Sequence, residues 1–169
     1  FKIAATYGSV ENTKAEDMRQ QHTRAHGTNG ATQTLALITD SSCDLPGDEF
    51  IRRHIHVVPV VVNFGQESFV DKVTMTDKEF YNMLRTNPHH PKTSQPAPGD
   101  FQEIFKQASE SYQQGLAIIL SSGLSGTFQA AQKAAQMMRE QFKVEVIDSR
   151  SVTIGLALIV REAVKQSRS

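Results

Sequence analysis

The sequence predicts an α/β fold in which a parallel sheet of about four to five strands carries helices on both faces. Short apolar runs typical of buried strands alternate along the chain with stretches whose apolar residues have helical spacing. Such alternation is characteristic of parallel sheets with right-handed crossovers. The length of 169 residues is enough for one good-sized domain with an appendage.

Residues 1–34 differ from the rest of the chain and are predicted to be an upstream tail and linker. Asn12 is a candidate cap for a thin helix that ends near His26. The small and polar residues 27–34 then have the composition of a linker. We therefore place a domain boundary there and assign residues 35–169 to the α/β domain.

The first elements of that domain are two strands. Residues 35–39 form a short apolar run bounded by polar residues, as expected for a buried parallel strand. A polar loop follows, with a short helix around Phe50. Residues 57–62 are strongly β-branched and predict a second strand. Because Pro59 lacks a backbone donor, this strand is expected at a sheet edge or at a bulge.

A helix should come next, followed by a loop. Thr76 and Glu79 have the spacing of a capping box, and the helix behind them is predicted to bury three apolar side chains, Phe80, Met83 and Leu84. Residues 93–98 are predicted to form a loop.

The remainder of the chain repeats the alternation. Residues 116–120 and 144–147 are predicted strands. Helical faces are predicted before, between and after them, carried by Phe101, Ile104, Phe105 and Ala108, by Phe128, Ala131, Ala134, Ala135 and Met138, and by residues 154–164.

Composition excludes several classes of function. Lysine plus arginine and aspartate plus glutamate each number 18, so the net charge is zero, which argues against nucleic acid or an anionic membrane surface as partner. No apolar run approaches the roughly 18 residues of a membrane span. A single cysteine, Cys43, precludes an internal disulfide and fits a reducing compartment, so we expect a cytoplasmic protein. The chain begins at Phe1 without a signal-peptide pattern, and we interpret it as part of a longer protein.

Candidate site residues follow the predicted strands, where open parallel sheets bind ligands. The sharpest feature is the loop 121–127, whose hydroxyls precede a predicted helix. A helix N-terminus offers free N–H groups and a favourable dipole to an anion. The loop contains no basic residue, so a carboxylate with a single charge suits it better than a phosphate. The alternative is that the serines only cap the helix.

The sequence motifs give little support for an enzymatic function. The segment Gly123–Thr127 lacks the final glycine of a nucleophile elbow, and no histidine follows Ser125. The P-loop pattern is missing as well. His54 and His56 have the spacing of a strand-borne metal pair, but carboxylates or cysteines at proper spacing are not evident. We therefore predict no catalytic residue, no metal and no cofactor.

Five motifs in order resemble the DegV family over residues 35–160. They are the segments 39–46, 57–60, 93–96, 121–129 and 146–149. Members of that family are fatty-acid-binding proteins with two domains, and the first domain is an α/β domain with a parallel sheet. In bacterial fatty acid kinase systems the binding protein presents the acyl carboxylate to a separate kinase, which makes acyl phosphate.

The resemblance implies a ligand and the residues that hold it. The ligand is a long-chain fatty acid, and its carboxylate is held by Thr93 and Ser125, which lie 32 residues apart. Supporting roles are implied for Ser94, Ser122, Gly126 and Thr127. These hydroxyls need no activation, because the chemistry takes place on the kinase.

Residues 1–34 are similar to the end of the kinase-like region in fusions that join a dihydroxyacetone-kinase-like domain to a DegV domain. This similarity implies a kinase-like partner in cis or in trans. Two other interpretations stay open: part of a dihydroxyacetone-kinase-like phosphotransferase fusion, and a non-catalytic structural domain.

A DegV protein also carries a second domain of similar size, which we expect to be missing from this chain. One wall of the acyl tunnel would then be absent, and burial contributes about 0.8 kcal/mol per CH₂. We therefore expect the chain by itself to bind fatty acids weakly or not at all. A homodimer over the exposed apolar surface is a candidate assembly.

Overall fold

The structure is a computed structural model that describes residues 33–168. The predicted tail, its helix and most of its linker fall on residues 1–32 and lie outside the described residues. In chain order the elements are β1 (Gln33–Asp40), a 3-10 turn (Ser41–Cys43), α1 (Gly47–Arg52), β2 (Ile55–Val58), β3 (Val61–Phe64), β4 (Glu67–Val70), α2 (Asp77–Thr86), β5 (Lys92–Ser94), α3 (Pro98–Ser109), β6 (Tyr112–Ile119), α4 (Thr127–Met138), β7 (Lys143–Asp148) and α5 (Thr153–Gln166).

The main sheet confirms the predicted fold class. It has four parallel strands in the order β2-β1-β6-β7. Residues 36–39 of β1 are buried one after another, and because strand side chains alternate between faces, both faces must be covered. The predicted strand at 35–39 begins two residues earlier in the structure, at Gln33.

The helices form two layers, as the crossover rule requires. The chain moves in one direction across the sheet from β1 to β2 and in the opposite direction from β6 to β7. Right-handed crossovers then place α1 and α4 on opposite faces. α3 packs against α4, while α5 is joined to α1 by an ion pair between Arg161 and Glu49.

A second, antiparallel sheet in the order β4-β3-β5 was not predicted. The prediction of one strand over 57–62 is wrong, because the chain leaves the main sheet at Pro59 and enters the small sheet at Val61. Between them, the N–H of Val60 donates to Ser41 Oγ at 3.0 Å. Pro59 does follow an edge strand, β2, which agrees with its missing donor.

The loop predicted at 93–98 is also partly wrong, since Thr93 and Ser94 belong to β5. All three residues of β5 are polar and exposed, so the strand has no apolar alternation that a sequence pattern could reveal.

The small sheet has its own apolar cluster. Val62, Phe64 and Met75 are buried in it. The capping box of α2 is confirmed, since the N–H of Thr76 donates to Glu79 Oε2 at 2.8 Å and the N–H of Glu79 donates back to the threonine hydroxyl. The predicted buried face of this helix is only partly correct: Phe80 and Met83 are half-buried against the small apolar cluster, but Leu84 is exposed.

Within residues 33–168, none of the helices has both the length and the apolar character needed to cross a membrane.

Candidate functional site

The carboxyl end of β1 is occupied by Asp40, which has a structural role. Its Oδ2 accepts a hydrogen bond from the N–H of Leu120 at 2.9 Å, and its Oδ1 accepts from the N–H of Ser42 at 3.0 Å and from the Ser42 hydroxyl. Burial raises the pKa of this carboxyl, while the hydrogen bonds from Ser42 and Leu120 oppose that shift. Asp40 thus caps the turn that follows β1 and ties it to the end of β6.

Ser122 anchors the next loop to β7. Its hydroxyl donates to Asp148 Oδ2 at 2.5 Å, and its N–H donates to Oδ1 at 3.1 Å. The Ser122 hydrogen bonds are the main reason that the pKa of Asp148 lies below its usual value. Ser122 therefore fixes the shape of the loop that carries Ser125, and its hydroxyl is engaged with Asp148.

Ser125 and Thr127 lie at the N-terminus of α4. Their hydroxyl oxygens are 2.9 Å apart, and the N–H of Thr127 donates to Ser125 Oγ at 3.3 Å. The Ser125 oxygen thus accepts from one backbone N–H at the start of α4. This agrees in part with the alternative that the serines of this loop only cap the helix. Other N–H groups of a first helical turn have no partner within the helix and can bind an anion.

Thr93 and Ser94 lie in β5 of the small sheet. Thr93 pairs with Val62 and shares its face, since paired residues of an antiparallel ladder lie on the same side. Ser94 lies on the other side, where Asn63 Nδ2 donates to its hydroxyl at 3.0 Å. The two hydroxyls that we predicted together therefore point to opposite faces of β5.

The side-chain amide of Gln95 joins the Thr93 segment to the Ser125 loop. A Cβ placed on Gly126 would lie 2.9 Å from Gln95 Cδ and 3.0 Å from its Nε2, and it would clash with Oε1. Gly126 has a φ of −73°, which any residue adopts, and an alanine there would push aside the Gln95 amide, which is the far end of an exposed, flexible side chain. Sequence reasoning quoted Gln95 within the segment 93–96 but assigned it no role.

Cys43 and the histidine pair take no visible part in this site. Burial raises the pKa of the Cys43 thiol to about 11, so the thiol stays protonated. His56 packs edge-on against Tyr112, with ring centroids 5.6 Å apart. In the stretch from residue 33 to 168, no group of three or more potential ligands could hold a metal ion.

Comparison with protein families gives one clear match. The model described as "Uncharacterised protein, DegV family COG1307" matches residues 34–168. The chain belongs to the DegV family. Among curated relatives, a DegV domain-containing protein of Caldanaerobacter subterraneus is 37% identical over 135 residues, which are 80% of this chain and 48% of the relative. One from Staphylococcus aureus is 38% identical over 129 residues, covering 76% of this chain and 45% of the relative.

Solved DegV structures have the same fold. A DegV family protein from Thermus thermophilus, described as binding fatty acid, is 33% identical with a TM-score of 0.71. DegV from Bacillus subtilis, described as a fatty acid binding protein, is 28% identical with a TM-score of 0.76. Each alignment covers 80% of this chain and 48% of the solved chain. This DegV chain thus spans about half the length of the relatives that it matches.

Proposed function

We propose that this DegV chain binds a long-chain fatty acid through its carboxylate, with Thr93 and Ser125 as the direct ligands. The observation that carries the proposal is the contact between Gln95 and Gly126, which joins the two segments that bear these hydroxyls. The Thermus and Bacillus relatives, described as fatty-acid-binding, supply the class of ligand.

The chemistry of the two segments suits a single negative charge. Ser125 and Thr127 are neutral donors at a helix N-terminus, where the dipole favours an anion. Neither the loop 121–127 nor Thr93 brings a formal positive charge. Hydroxyl and N–H donors at a helix end compensate a carboxylate better than a multiply charged phosphate.

The remaining predicted residues have supporting roles in the proposal. Ser122 holds the loop against Asp148, and Gly126 gives room to Gln95. Thr127, which is buried, positions the Ser125 hydroxyl through their 2.9 Å contact. Ser94 supports β5 through Asn63.

We propose further that the protein is a non-catalytic, cytoplasmic binding protein that needs no cofactor. It would present the bound acid to a kinase-like domain, in cis or in trans, for acyl phosphate formation. The resemblance of residues 1–34 to a kinase-like region supports this partner. Acyl phosphate can be trapped with hydroxylamine: the proposal expects none from the chain with ATP alone, and ATP-dependent turnover by the chain itself would favour an enzyme.

The carboxylate site is tested by titration with octanoate, followed in ¹H–¹⁵N correlation spectra of the 169-residue chain. This soluble acid reports binding even where affinity is low. We expect the amide signals of residues 125–127 to shift in the wild type. Ser125→Ala and Thr93→Val should each weaken binding about tenfold, the loss of one hydrogen bond to a charged group.

Matched controls separate ligand contacts from general effects of these substitutions. Ser109→Ala and Thr34→Val delete the same groups outside the proposed site, in α3 and at the amino end of β1. Both controls should bind octanoate like the wild type. Unchanged binding in both Ser125→Ala and Thr93→Val would show that the carboxylate site is misplaced.

A further inference from the structure

We propose that Gln95 is a positioning residue, whose side-chain amide holds Thr93 and Ser125 at the distance at which both can bind one carboxylate. This inference rests on the proposed function and adds a residue that the family motifs leave without a role. It starts from the packing of Gln95 on Gly126 at the N-terminus of α4.

The two hydroxyls belong to parts of the fold that pack separately. Ser125 follows β6 of the main sheet, and Thr93 lies in β5 of the small sheet. Across residues 33–168 the two sheets share no strand pairing, and each has its own apolar cluster. The distance between the hydroxyls therefore depends on contacts that connect the small sheet to the loop 121–127.

Gln95 provides such a contact beside Gly126, the residue after Ser125. It follows β5 directly, two residues after Thr93, so one short segment carries both side chains. Its amide then occupies the space next to Gly126, the residue after Ser125. Movement of Gln95 along the helix end would move Thr93 with it.

Gly126 leaves the space that the Gln95 amide occupies. Its φ of −73° allows any side chain, whereas a methyl group would displace the Gln95 amide. Gly123, the other glycine of the loop, meets no atom closer than 3.5 Å and does not require a glycine for space. The close approach at Gly126 is therefore specific to the pair that it forms with Gln95.

The test uses five variants of the 169-residue chain: Gln95→Ala, Gly126→Ala, the double variant of these two, Gln95→Ala combined with Thr93→Val, and Gln113→Ala as a matched control. Gln113 is an exposed glutamine near the amino end of β6, at the end of the strand opposite the loop 121–127. Binding of octanoate and of 1-octanol is measured for each by the shift of amide signals. The alcohol has the same chain without the carboxylate, and thermal unfolding of each variant is recorded in parallel.

We expect Gln95→Ala and Gly126→Ala each to weaken octanoate binding about tenfold and to leave 1-octanol binding unchanged. Because both substitutions break the same contact, the double variant should bind octanoate no more weakly than the single variant with the lower affinity. Thr93→Val should cost little further affinity in the Gln95→Ala background, because Thr93 is then no longer held beside Ser125. Gln113→Ala should match the wild type.

Three results would overturn the inference. Wild-type octanoate binding by Gln95→Ala would show that the amide does not position the site, while the proposed function would stand. Equal losses for octanoate and 1-octanol together with a lower melting temperature would show a purely structural role. If octanoate shifts no signal of residues 125–127 in the wild type, the proposed function itself fails, and the role of Gln95 fails with it.

Discussion

The carboxylate of Asp40 accepts a hydrogen bond from the backbone N–H of Leu120 at 2.9 Å, although the two residues are 80 positions apart in sequence. This bond joins the carboxyl ends of the two central strands, β1 and β6, directly before the loops that follow them. Asp40 is fully buried, so water cannot replace it as the acceptor.

Asp40→Ala is therefore expected to lower the free energy of unfolding by about 1–3 kcal/mol, the cost of leaving a buried donor unsatisfied. Urea denaturation with fluorescence or circular dichroism detection measures the change. Asp48→Ala is the control, because Asp48 is exposed and only forms a surface ion pair with Arg52. An unchanged midpoint for Asp40→Ala would show that the bond to Leu120 contributes nothing to stability.

The ion pairs of Glu49 predict a specific dependence of stability on pH. Arg161 donates to Glu49 through Nε and through a terminal nitrogen at 2.8 and 2.6 Å, and Arg53 Nε donates at 2.7 Å. The hydrogen bond with Arg161 is the main reason that the pKa of Glu49 falls to about 2. The native state thus holds this proton more weakly than the unfolded state, whose glutamates titrate near 4.5.

The stabilisation by Glu49 should be complete above pH 5 and should disappear as the pH falls from 4.5 towards 2. Glu49→Gln is expected to be less stable than the wild type at pH 7, and the difference should shrink over that window. Denaturant titrations of both proteins from pH 7 to pH 2 measure it. A difference that stays constant across the window would contradict the assignment.

The two apolar clusters predict two different responses to the loss of a phenylalanine. Phe64 lies in the small cluster, where its ring centroid is 6.0 Å from that of Phe80. Phe105 lies in the large core. Either substitution by alanine should cost about 3–5 kcal/mol locally, because each removes a buried ring and leaves a cavity.

Phe64→Ala should increase hydrogen exchange mainly in β3 to β5 and weaken octanoate binding, because Thr93 lies in that sheet. Phe105→Ala should increase exchange across the main sheet as well. Amide exchange followed by NMR distinguishes the two. Equal loss of protection throughout both sheets in Phe64→Ala would show that the small sheet does not unfold separately.

The bond between Ser122 and Asp148 predicts how the loop responds to a neutral substitution. Asp148→Asn replaces one acceptor oxygen by a donor, so it loses one of the two bonds from Ser122. We expect faster exchange of the Ser122 amide and weaker octanoate binding, by about threefold, from a less ordered loop. Glu145→Gln, an exposed change on the same strand, is the control and should alter neither quantity.

The main sheet could be predicted from sequence because its strands carry their own signal. The apolar runs at 35–39 and near 116–120 became the two central strands of one parallel sheet, because strands covered on both faces are apolar throughout. The run near 144–147 became its edge strand β7, whose exposure alternates along the strand. The capping box at Thr76 was equally visible, because its two residues interact within one helical turn.

The small sheet could not be predicted in the same way. β5 is polar and exposed, and it becomes a strand only by pairing with β3, about 30 residues earlier. The apolar run 57–62 has the pattern of one strand, but the chain passes between the sheets at residues 59–60, where Val60 donates to Ser41. Such pairings depend on distant residues, which leave no local pattern.

The sequence by itself determined the fold class, the family and the two hydroxyl segments that we assign to a carboxylate. Periodicity and short motifs involve residues close together in the chain, so they can be recognised from the sequence. Only the tertiary structure decided that Asp40 ties β1 to β6, that Ser94 faces away from Thr93, and that Gln95 packs on Gly126. The contacts behind them join Asp40 to Leu120, Asn63 to Ser94 and Gln95 to Gly126, residues about 30 to 80 positions apart that only the tertiary structure brings together.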